Sequence, residues 1–233
     1  MKTLLDLFFP PRCAVCGEVL ALEEREGFLC SHCAADIPYV PQGICPHCGG
    51  ENDRAGFCDS CVKQYAFESV CAAFPYEKIR KAIHLFKYDG DKTIGHGLGE
   101  LMVEYLLKYH EELLGKTDVM VSVPLYPKKE KSRGFNQAEI LCERISGKTG
   151  LIFQKKVLER KRETIAQSEL NPEERKRNLK DAFGVTADVM GKRVLLVDDI
   201  FTTGTTCNEC AKELYRAGAA EVMVFALSAA GIE

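Results

Sequence analysis

One stretch near the end of the chain, residues 194–206, constrains its fold more than any other segment. The stretch begins with four apolar residues, which are too few for a helix and predict a strand buried on both faces. Two adjacent carboxylates, Asp198 and Asp199, are expected to end this strand, and a hydroxyl-rich loop around Gly204 follows. The next residues predict a helix that stops before Gly218. A buried strand that passes through a short loop into a helix is typical of an α/β fold.

The residues of this stretch have the chemistry that a phosphorylated sugar requires. Gly204 allows the backbone to approach a phosphate closely, while the loop amides and the following helix N-terminus supply positive potential. Asp198 and Asp199 can accept hydrogen bonds from ribose hydroxyls at the carboxyl end of the strand. A P-loop is excluded because no lysine precedes a Ser or Thr in this loop. The stretch instead resembles the phosphoribosyl-pyrophosphate (PRPP) motif of type I phosphoribosyltransferases, in which four apolar and two acidic residues precede a Thr/Gly-rich loop.

The N-terminal part of the chain carries four C-x-x-C pairs within its first 61 residues, separated by gaps of 13, 11 and 9 residues. Paired cysteines at this density predict two tetrahedral Cys₄ zinc sites. The predicted ligands are Cys13, Cys16, Cys30, Cys33, Cys45, Cys48, Cys58 and Cys61. The simplest pairing places the first four cysteines on one ion and the next four on another, and a cross-braced arrangement of alternate pairs stays open.

Both predicted zinc ions are expected to be structural. Few apolar residues lie between the cysteine pairs, so the metals would supply much of the folding energy of this small module. Four thiolates leave no open position for a substrate. Up to residue 66 the chain has 5 basic and 9 acidic side chains, so this module is not expected to grip a phosphate backbone by itself. Structural support and contact with a partner or nucleic acid both stay open as its role.

Charge and cysteine content narrow the function classes further. The 233 residues have a formal net charge of −3, which excludes a general nucleic-acid footprint, but residues 128–180 hold 15 basic and 8 acidic side chains. That local excess suits a diphosphate or a nucleic-acid backbone. Residues 1–11 predict a helical turn rather than an export signal, and no apolar run is long enough to span a membrane. Twelve cysteines without such a signal predict a reducing cytoplasm.

After residue 66 the pattern alternates between strands and helices. Strands are predicted over residues 68–75, 118–124, 151–153, 194–197 and 221–227. Two helices are predicted from the apolar faces Ile79, Ala82, Ile83, Phe86 and Leu98, Leu101, Met102, Tyr105, with a polar loop over 91–97 between them. A further helix is predicted to be capped by Asn136 and to bury Ala138, Leu141, Cys142 and Ile145. Cys207 and Cys210 are expected to be buried helix cysteines.

Two further segments are expected near the PRPP-like motif. Residues 123–137 follow a predicted strand and contain Arg133, whose guanidinium can bind a phosphate through two parallel hydrogen bonds. In the superfamily that the motif resembles, the matching loop holds pyrophosphate. Residues 159–181 are charged and predicted to be a mobile excursion, in the position of the flexible catalytic loop of that superfamily. Closure of such a loop would exclude water from a reactive sugar cation, and a surface loop without function is the alternative.

The order of motifs along the whole chain resembles one family. Double Cys₄ ribbons are followed by V-P-L-Y-P, R-G-F-N-Q and V-D-D-I-F-T-T-G-T-T, as in the ComF family of amidophosphoribosyltransferase-like proteins associated with natural competence. The resemblance implies an α/β fold with a type I phosphoribosyltransferase-like parallel sheet flanked by helices. It divides the chain into a small double zinc-ribbon module, residues 1–66, and a phosphoribosyltransferase-like domain, residues 67–233.

The resemblance also implies ligands and roles. A cytoplasmic protein that binds PRPP or a related sugar phosphate with Mg²⁺, and two zinc ions, is expected, with single-stranded DNA and DNA-import proteins as candidate partners. The predicted catalytic residues are Asp198, Asp199 and Arg133. The predicted PRPP-binding residues are Asp198, Asp199, Thr202, Thr203, Gly204, Thr205, Thr206, Tyr126 and Arg133. Two functions stay open: a transferase with an unknown acceptor, and a non-catalytic nucleotide-sensing or single-stranded-DNA-binding adaptor that retains the site.

Overall fold

The computed structural model describes residues 10–45, 48, 50–52, 57–88, 92–162, 179 and 181–230. The strands in these ranges are β1 Ser69–Pro75, β2 Val119–Ser122, β3 Leu158–Arg160, β4 Phe183–Val185, β5 Arg193–Phe201 and β6 Glu221–Ala229. The helices are α1 Ser31–Ala35, α2 Asp59–Val62, α3 Tyr76–Tyr88, α4 Lys92–Tyr109, α5 Glu112–Lys116, α6 Pro127–Arg133, α7 Gln137–Thr149 and α8 Thr205–Arg216.

Four parallel strands form the main sheet, in the order β1–β6–β5–β2. Successive residues of β5 point to opposite sides of it. Val194 and Leu196 lie in a core shared with α8, here called the α8 face. Leu195 and Val197 lie in a core shared with α3, α4 and α7, here called the α4 face. The strand is therefore buried on both faces, and the predicted α/β fold with a helix-flanked parallel sheet is confirmed.

Strand β5 is longer than predicted. The acidic pair does not end it, because the strand continues to Phe201. Strand β6 runs alongside over this whole length, with Asp198 opposite Ala226 and Phe201 opposite Ala229. The backbone of both carboxylates is thus fixed by the sheet ladder instead of lying in a loop.

The predicted buried faces of the helices are confirmed, with one difference. The four apolar residues predicted for α3 and the four predicted for α7 are all buried, and Leu101 of α4 is half-buried. The predicted loop over residues 91–97 was wrong from Lys92 onward, because α4 begins there. Its glycines serve close packing, since a side chain at Gly95 would overlap the ring of Phe86 and one at Gly97 would overlap the ring of Phe28.

The loop predicted between β2 and α7 contains a short helix, α6, that the sequence pattern did not reveal. Pro127 stands at its first position, where the missing N–H leaves no hydrogen bond unmade. Gly134 ends it in the left-handed conformation, with φ +86. The predicted cap of α7 is confirmed, because the Asn136 side chain accepts a hydrogen bond of 3.0 Å from the Ala138 amide.

Two other predicted segments differ from the structure. The strand predicted over residues 151–153 is a single parallel bridge between Phe153 and Met120. The excursion predicted over 159–181 starts inside β3, which pairs antiparallel with β4. Residues 163–178 and 180, which form most of that excursion, lie outside the described residues, as do residues 1–9 of the predicted N-terminal turn.

The cysteine-rich part of the chain packs against the sheet. The Val40 amide donates to the Ala73 carbonyl at 2.9 Å, and the Phe57 amide donates to the Val70 carbonyl at 3.1 Å. Both residues are therefore hydrogen-bonded to the backbone of β1. Val40 and Phe57 belong to the core of the α8 face. The domain boundary between residues 66 and 67 stays a prediction. Within the described ranges, every helix is either too short or too polar to cross a bilayer.

Candidate functional site

Two clusters of four cysteines lie in the N-terminal part. Cys13, Cys16, Cys30 and Cys33 form the first cluster, and Cys45, Cys48, Cys58 and Cys61 form the second, with all sulfurs of each cluster within 4.8 Å of one another. This arrangement confirms the sequential pairing and excludes the cross-braced one. Gly17 follows the first knuckle with φ +85, as a tight turn requires, and Gly49 lies outside the described residues.

The spacing of the sulfurs fits a tetrahedral metal. Four ligands at a Zn–S distance of about 2.3 Å would place their sulfurs about 3.8 Å apart. The Cys16 and Cys30 sulfurs are 3.7 Å apart, and the Cys48 and Cys58 sulfurs are 3.9 Å apart. Both clusters therefore have the ligand type, number and spacing of structural zinc sites. Cys207 and Cys210 are buried in α8, as predicted.

The acidic pair lies at the carboxyl end of β5, and the strand alternation sends its two side chains to different neighbours. Asp198 keeps the register of Leu196 and lies beside α8, where the Cys207 thiol donates to its Oδ2 at 3.5 Å. Asp199 keeps the register of Val197 and lies beside α3, where its Oδ2 is 2.7 Å from the Lys87 ammonium. The two carboxylates are adjacent in sequence but are held from opposite faces of the sheet.

These different partners separate the acidities of the two carboxyl groups. Burial raises the pKa of Asp198 to about 7, and the charge of Asp199 acts in the same direction. Burial also acts on Asp199, but the Lys87 ammonium outweighs it and holds the pKa of Asp199 below its ordinary value. The pair therefore holds a single full negative charge more readily than two, and a bound cation would favour the doubly ionised form.

The hydroxyl-rich loop joins β5 to α8 through Gly204. This residue has φ +66, which favours glycine, and it occupies the N-cap position of α8. The Thr203 and Thr205 hydroxyls lie 2.9 Å apart, and Thr205 is buried whereas Thr202 is exposed. With 12 residues, α8 is long enough to present a helix N-terminus with partial positive charge to this loop.

Cations from three separate segments lie near the acidic pair. Desolvation lowers the pKa of Lys129 in α6, and the charges that lower it further are those of Arg133, Arg160 and Lys87. Asp199 acts on the same lysine in the opposite direction. Helices α3 and α6 and strand β3 thus bring four positive groups to the acidic pair, with Lys87, Lys129 and Arg133 acting with Asp199 and Arg160 acting with Asp198.

Two of these cations are held by aromatic rings. The Arg133 guanidinium lies 5.7 Å from the centre of the Tyr88 ring and donates to the Gln137 side chain. The Arg160 guanidinium lies 5.6 Å from the centre of the Phe183 ring, across the β3–β4 pair. A guanidinium stacked on a ring keeps its orientation, and edges that are not engaged by the protein can receive phosphate oxygens.

The structure brings most of the sequence-predicted site residues to one edge of the sheet. Asp198, Asp199 and the Thr/Gly loop leave β5, and Arg133 lies at the end of α6 after the neighbouring strand β2. Tyr126 is half-buried at the N-cap of α6, and the three lysines of that helix, Lys128, Lys129 and Lys131, are exposed.

Sequence reasoning missed Lys87. It considered only the buried face of α3, and Lys87 follows the buried Phe86 at the end of that face. No local signal could have singled out Lys87, because lysines commonly flank the buried face of an amphipathic helix.

Each of the two parts of the chain matches a known domain family. Residues 4–73 match the double zinc ribbon domain family, and residues 100–232 match the phosphoribosyl transferase domain family. Competence protein F of Haemophilus influenzae is 32% identical over 232 residues, which cover 96% of this chain and 99% of that protein. This chain belongs to the ComF family. Competence protein ComFC of Streptococcus pneumoniae is 31% identical over 230 residues, covering 93% of this chain and 99% of that protein.

A further curated relative and a solved structure are also similar to this chain. DNA utilization protein YhgH of Salmonella typhi is 32% identical over 225 residues, covering 95% of this chain and 98% of that protein. The crystal structure of a purine phosphoribosyltransferase from Pyrococcus horikoshii aligns with 57% of this chain and 69% of that chain, at 21% identity and a TM-score of 0.36. A score this low carries no weight, so the fold assignment of this ComF-family chain rests on its own sheet and on the domain match.

Proposed function

We propose that this ComF-family protein binds PRPP together with Mg²⁺ at the carboxyl edge of its sheet and acts in DNA uptake. One observation carries the ligand: adjacent carboxylates at the end of β5 lead through a Thr/Gly loop into α8, with four cations around them. The names of its relatives, competence and DNA utilization proteins, support the process. The twelve cysteines, all among the described residues, form no disulfide with one another, which fits the cytoplasm as the proposed compartment.

The 5′-phosphate would bind at the start of α8. Backbone amides of residues 202–206, together with the Thr203 and Thr206 hydroxyls, supply neutral donors beside a helix N-terminus. Gly204 is left-handed with φ +66, and the space that a Cβ would fill there is taken by the rings of Phe201 and Tyr65, so the loop can pack closely on these rings while its amides turn into α8. This part of the site would fix one end of the ligand without using a formal charge.

The diphosphate would bind at the cationic cluster. Arg133 and Arg160 are held by aromatic rings and can each bind oxygens through a planar fork, and Lys129 adds a point charge. The carboxylate oxygens of Asp198 and Asp199 are the ligand type that Mg²⁺ takes from proteins when substrate phosphates complete its coordination. Mg²⁺ would supply charge neutralisation at the diphosphate. Lys87 would then have to release Asp199, which it holds at 2.7 Å.

The same groups suffice for phosphoribosyl transfer if an acceptor binds. In that reaction the bond between ribose C1 and the diphosphate oxygen breaks and its electron pair leaves with pyrophosphate. A nitrogen of the acceptor supplies the electron pair of the new bond and gives up its proton to pyrophosphate or water. Positive charge develops on the ribose ring in between. In this proposal Asp198 and Asp199 stabilise that charge, and Arg133 takes the negative charge on the leaving group.

Thermal unfolding with Mg²⁺ and PRPP tests the binding site. A ligand at 100 times its dissociation constant adds about 2.7 kcal/mol to the free energy of unfolding, which corresponds to a rise of roughly 5–10 °C for a chain of this size. Asp199→Asn and Thr203→Val should reduce that rise, and Asp188→Asn, an exposed carboxylate outside the site, should leave it unchanged. An unmoved melting temperature in the wild type would exclude the proposed site.

Pyrophosphate release distinguishes a transferase from a non-catalytic adaptor. Purified protein with Mg²⁺ and PRPP would be supplied with a panel of nitrogenous bases and amines. Release that depends on one acceptor and disappears in Asp199→Asn supports the transferase. Binding without release for any acceptor in the panel favours the adaptor.

A DNA-binding adaptor is the second candidate, favoured by the names of the relatives and by the basic excess over residues 128–180. Contacts to a phosphate backbone give a log–log salt slope of about −0.7 per contact on single strands. Titration of a labelled oligonucleotide at several salt concentrations, with and without PRPP, would measure this. Competition places both ligands in one crevice, simultaneous binding places DNA elsewhere, and a salt-insensitive affinity contradicts this role.

A further inference from the structure

The loop of residues 202–204 between β5 and α8, here called the phosphate loop, is in direct contact with the second zinc ribbon, the one that carries Cys45, Cys48, Cys58 and Cys61. Tyr65 lies four residues after Cys61, a ligand of the second cysteine cluster, and its hydroxyl donates to the Thr203 carbonyl at 3.1 Å. Next to it, the Ala66 amide donates to the Asn208 side chain at 2.7 Å, in the first turn of α8. Two consecutive residues of the ribbon part thus hold the loop and the helix that follows it.

The Tyr65 ring also packs beneath the glycine of that loop. A Cβ added at Gly204 would lie 2.7 Å from Tyr65 Cε1 and 2.5 Å from Phe201 Cζ, so both rings press against its backbone. The Tyr65 ring is stacked on Phe67, with centroids 4.7 Å apart, and stands edge-on to Phe201 at 5.9 Å. An aromatic cluster of Tyr65, Phe67 and Phe201 therefore packs against Gly204 and stabilises its left-handed conformation.

The metal ligands are part of the same packing unit. Cys61 is 6% exposed and shares a core with Phe57 and Phe201, whose rings meet edge-to-face at 4.9 Å. The Tyr65 amide donates to the Val62 carbonyl at 2.9 Å, which ties Tyr65 to the last residue of α2, the helix that carries Cys61. An ion that fixes Cys58 and Cys61 therefore also fixes the segment that presents Tyr65.

The first ribbon makes no comparable contact with the loop among the described residues. Its apolar residues Ala14, Val15 and Phe28 pack on the α4 face. Tyr39, which follows the first ribbon, donates to the Leu101 carbonyl of α4 at 3.2 Å and stacks on Phe74 at 5.2 Å. Tyr39 is therefore a counterpart of Tyr65. Its hydroxyl also donates to a backbone carbonyl, but that carbonyl belongs to α4 and not to the phosphate loop.

We infer that Tyr65 is a positioning residue through which the second zinc ribbon sets the affinity of the phosphate loop for a sugar phosphate. The inference rests on the proposed function of that loop. A loop held in its binding conformation binds without first being ordered, and the apparent dissociation constant rises in inverse proportion to the competent fraction. Without the Tyr65 support we expect that fraction to fall to about one tenth, which raises the dissociation constant about tenfold.

Matched tyrosine variants test the inference. Tyr65→Ala removes the ring and the hydrogen bond, Tyr65→Phe removes only the hydrogen bond, and Tyr39→Ala and Tyr39→Phe are the counterparts on the α4 face. The dissociation constant for PRPP with Mg²⁺ would be measured by calorimetry, with zinc content and melting temperature recorded for each variant. We expect about a tenfold loss for Tyr65→Ala, partial rescue in Tyr65→Phe, and wild-type affinity in both Tyr39 variants.

Amide hydrogen exchange without ligand separates this inference from the proposed function. Faster exchange over residues 202–208 in Tyr65→Ala, but not in Tyr39→Ala, supports the positioning role even if the wild type binds no PRPP, in which case only the proposed function fails. Unchanged exchange in these residues, unchanged PRPP affinity in Tyr65→Ala, or an equal loss in the Tyr39 variant would overturn it.

Discussion

The two zinc ribbons have the same set of four cysteines, yet they dock on opposite faces of one sheet. The first packs through Ala14 and Phe28 against the α4 face. The second packs through Phe57 and Cys61 into the α8 face, where Phe201 ends the strand of the acidic pair. The two ribbons have the same ligand set, so a difference in their roles would have to come from what each one packs against.

The largest difference between the ribbons should follow from removing one ligand of each. Cys16→Ser and Cys48→Ser change the exposed cysteines of the first and second cluster. Each should lower the zinc content from two ions to one per chain, and since structural zinc contributes roughly 10 kcal/mol or more to the folding of such small units, the affected ribbon should unfold locally. Metal analysis and calorimetry with PRPP would show this. Only Cys48→Ser should weaken PRPP binding, and equal weakening would break the comparison.

A smaller difference should separate the aromatic residues that anchor the ribbons. Phe57 is 5% exposed and packs edge-on against Phe201, whereas Phe28 is half-buried against Gly97 of α4. Phe57→Ala should lower the free energy of unfolding by about 3–5 kcal/mol. Phe28→Ala leaves a smaller and more exposed cavity, so it should lower the free energy of unfolding by less. Chemical denaturation measures both, and a larger loss for Phe28→Ala would contradict the docking described here.

The α4 face should also contribute a smaller, electrostatic effect at the site. Lys87→Met leaves the Asp199 carboxylate without the ammonium that holds it at 2.7 Å, and an unpaired, partly buried carboxylate costs about 1–3 kcal/mol. Lys78→Met, on the exposed side of the same helix, is the control. Denaturation curves of the two variants should differ by this amount, and identical curves would show that the ion pair adds nothing to stability.

The smallest effect on PRPP affinity should come from the α8 face, through Asp198. Its pKa of about 7 means that the carboxyl group is largely protonated at pH 6 and largely ionised at pH 8. A bound cation favours the ionised form, so affinity for Mg²⁺ and PRPP should rise roughly tenfold over that range. In the free protein the sign is opposite, because a carboxyl with a raised pKa lowers the free energy of unfolding as pH rises from about 4 to 7. In Asp198→Asn both trends should flatten, leaving only the titration of PRPP itself.

The parts of the molecule that the sequence predicted are those with local patterns. The C-x-x-C pairs, the apolar run before Asp198 and the buried faces of α3 and α7 are periodic or closely spaced, and each was confirmed. The glycines of α4 were misjudged because their role is to admit the rings of Phe86 and Phe28, which only the packed structure shows.

The contacts that sequence reasoning could not find are long-range. Tyr65 and Thr203 are 138 positions apart, and neither residue is unusual in its own neighbourhood. Lys87 resembles any exposed lysine of an amphipathic helix until the sheet brings it to Asp199. Such contacts depend on the relative placement of whole elements, which the periodicity of a single segment does not encode.

The hydrogen bonds from the Val40 and Phe57 amides to β1 have a consequence beyond docking. Strand β1 is the outermost strand of the sheet on its side, with β6 as its single neighbour within the described sheet. An uncovered outer strand is a template for pairing with other chains and hence for aggregation. By occupying the Ala73 and Val70 carbonyls, the backbone around the ribbons shields this edge. Loss of zinc should therefore lower solubility as well as stability.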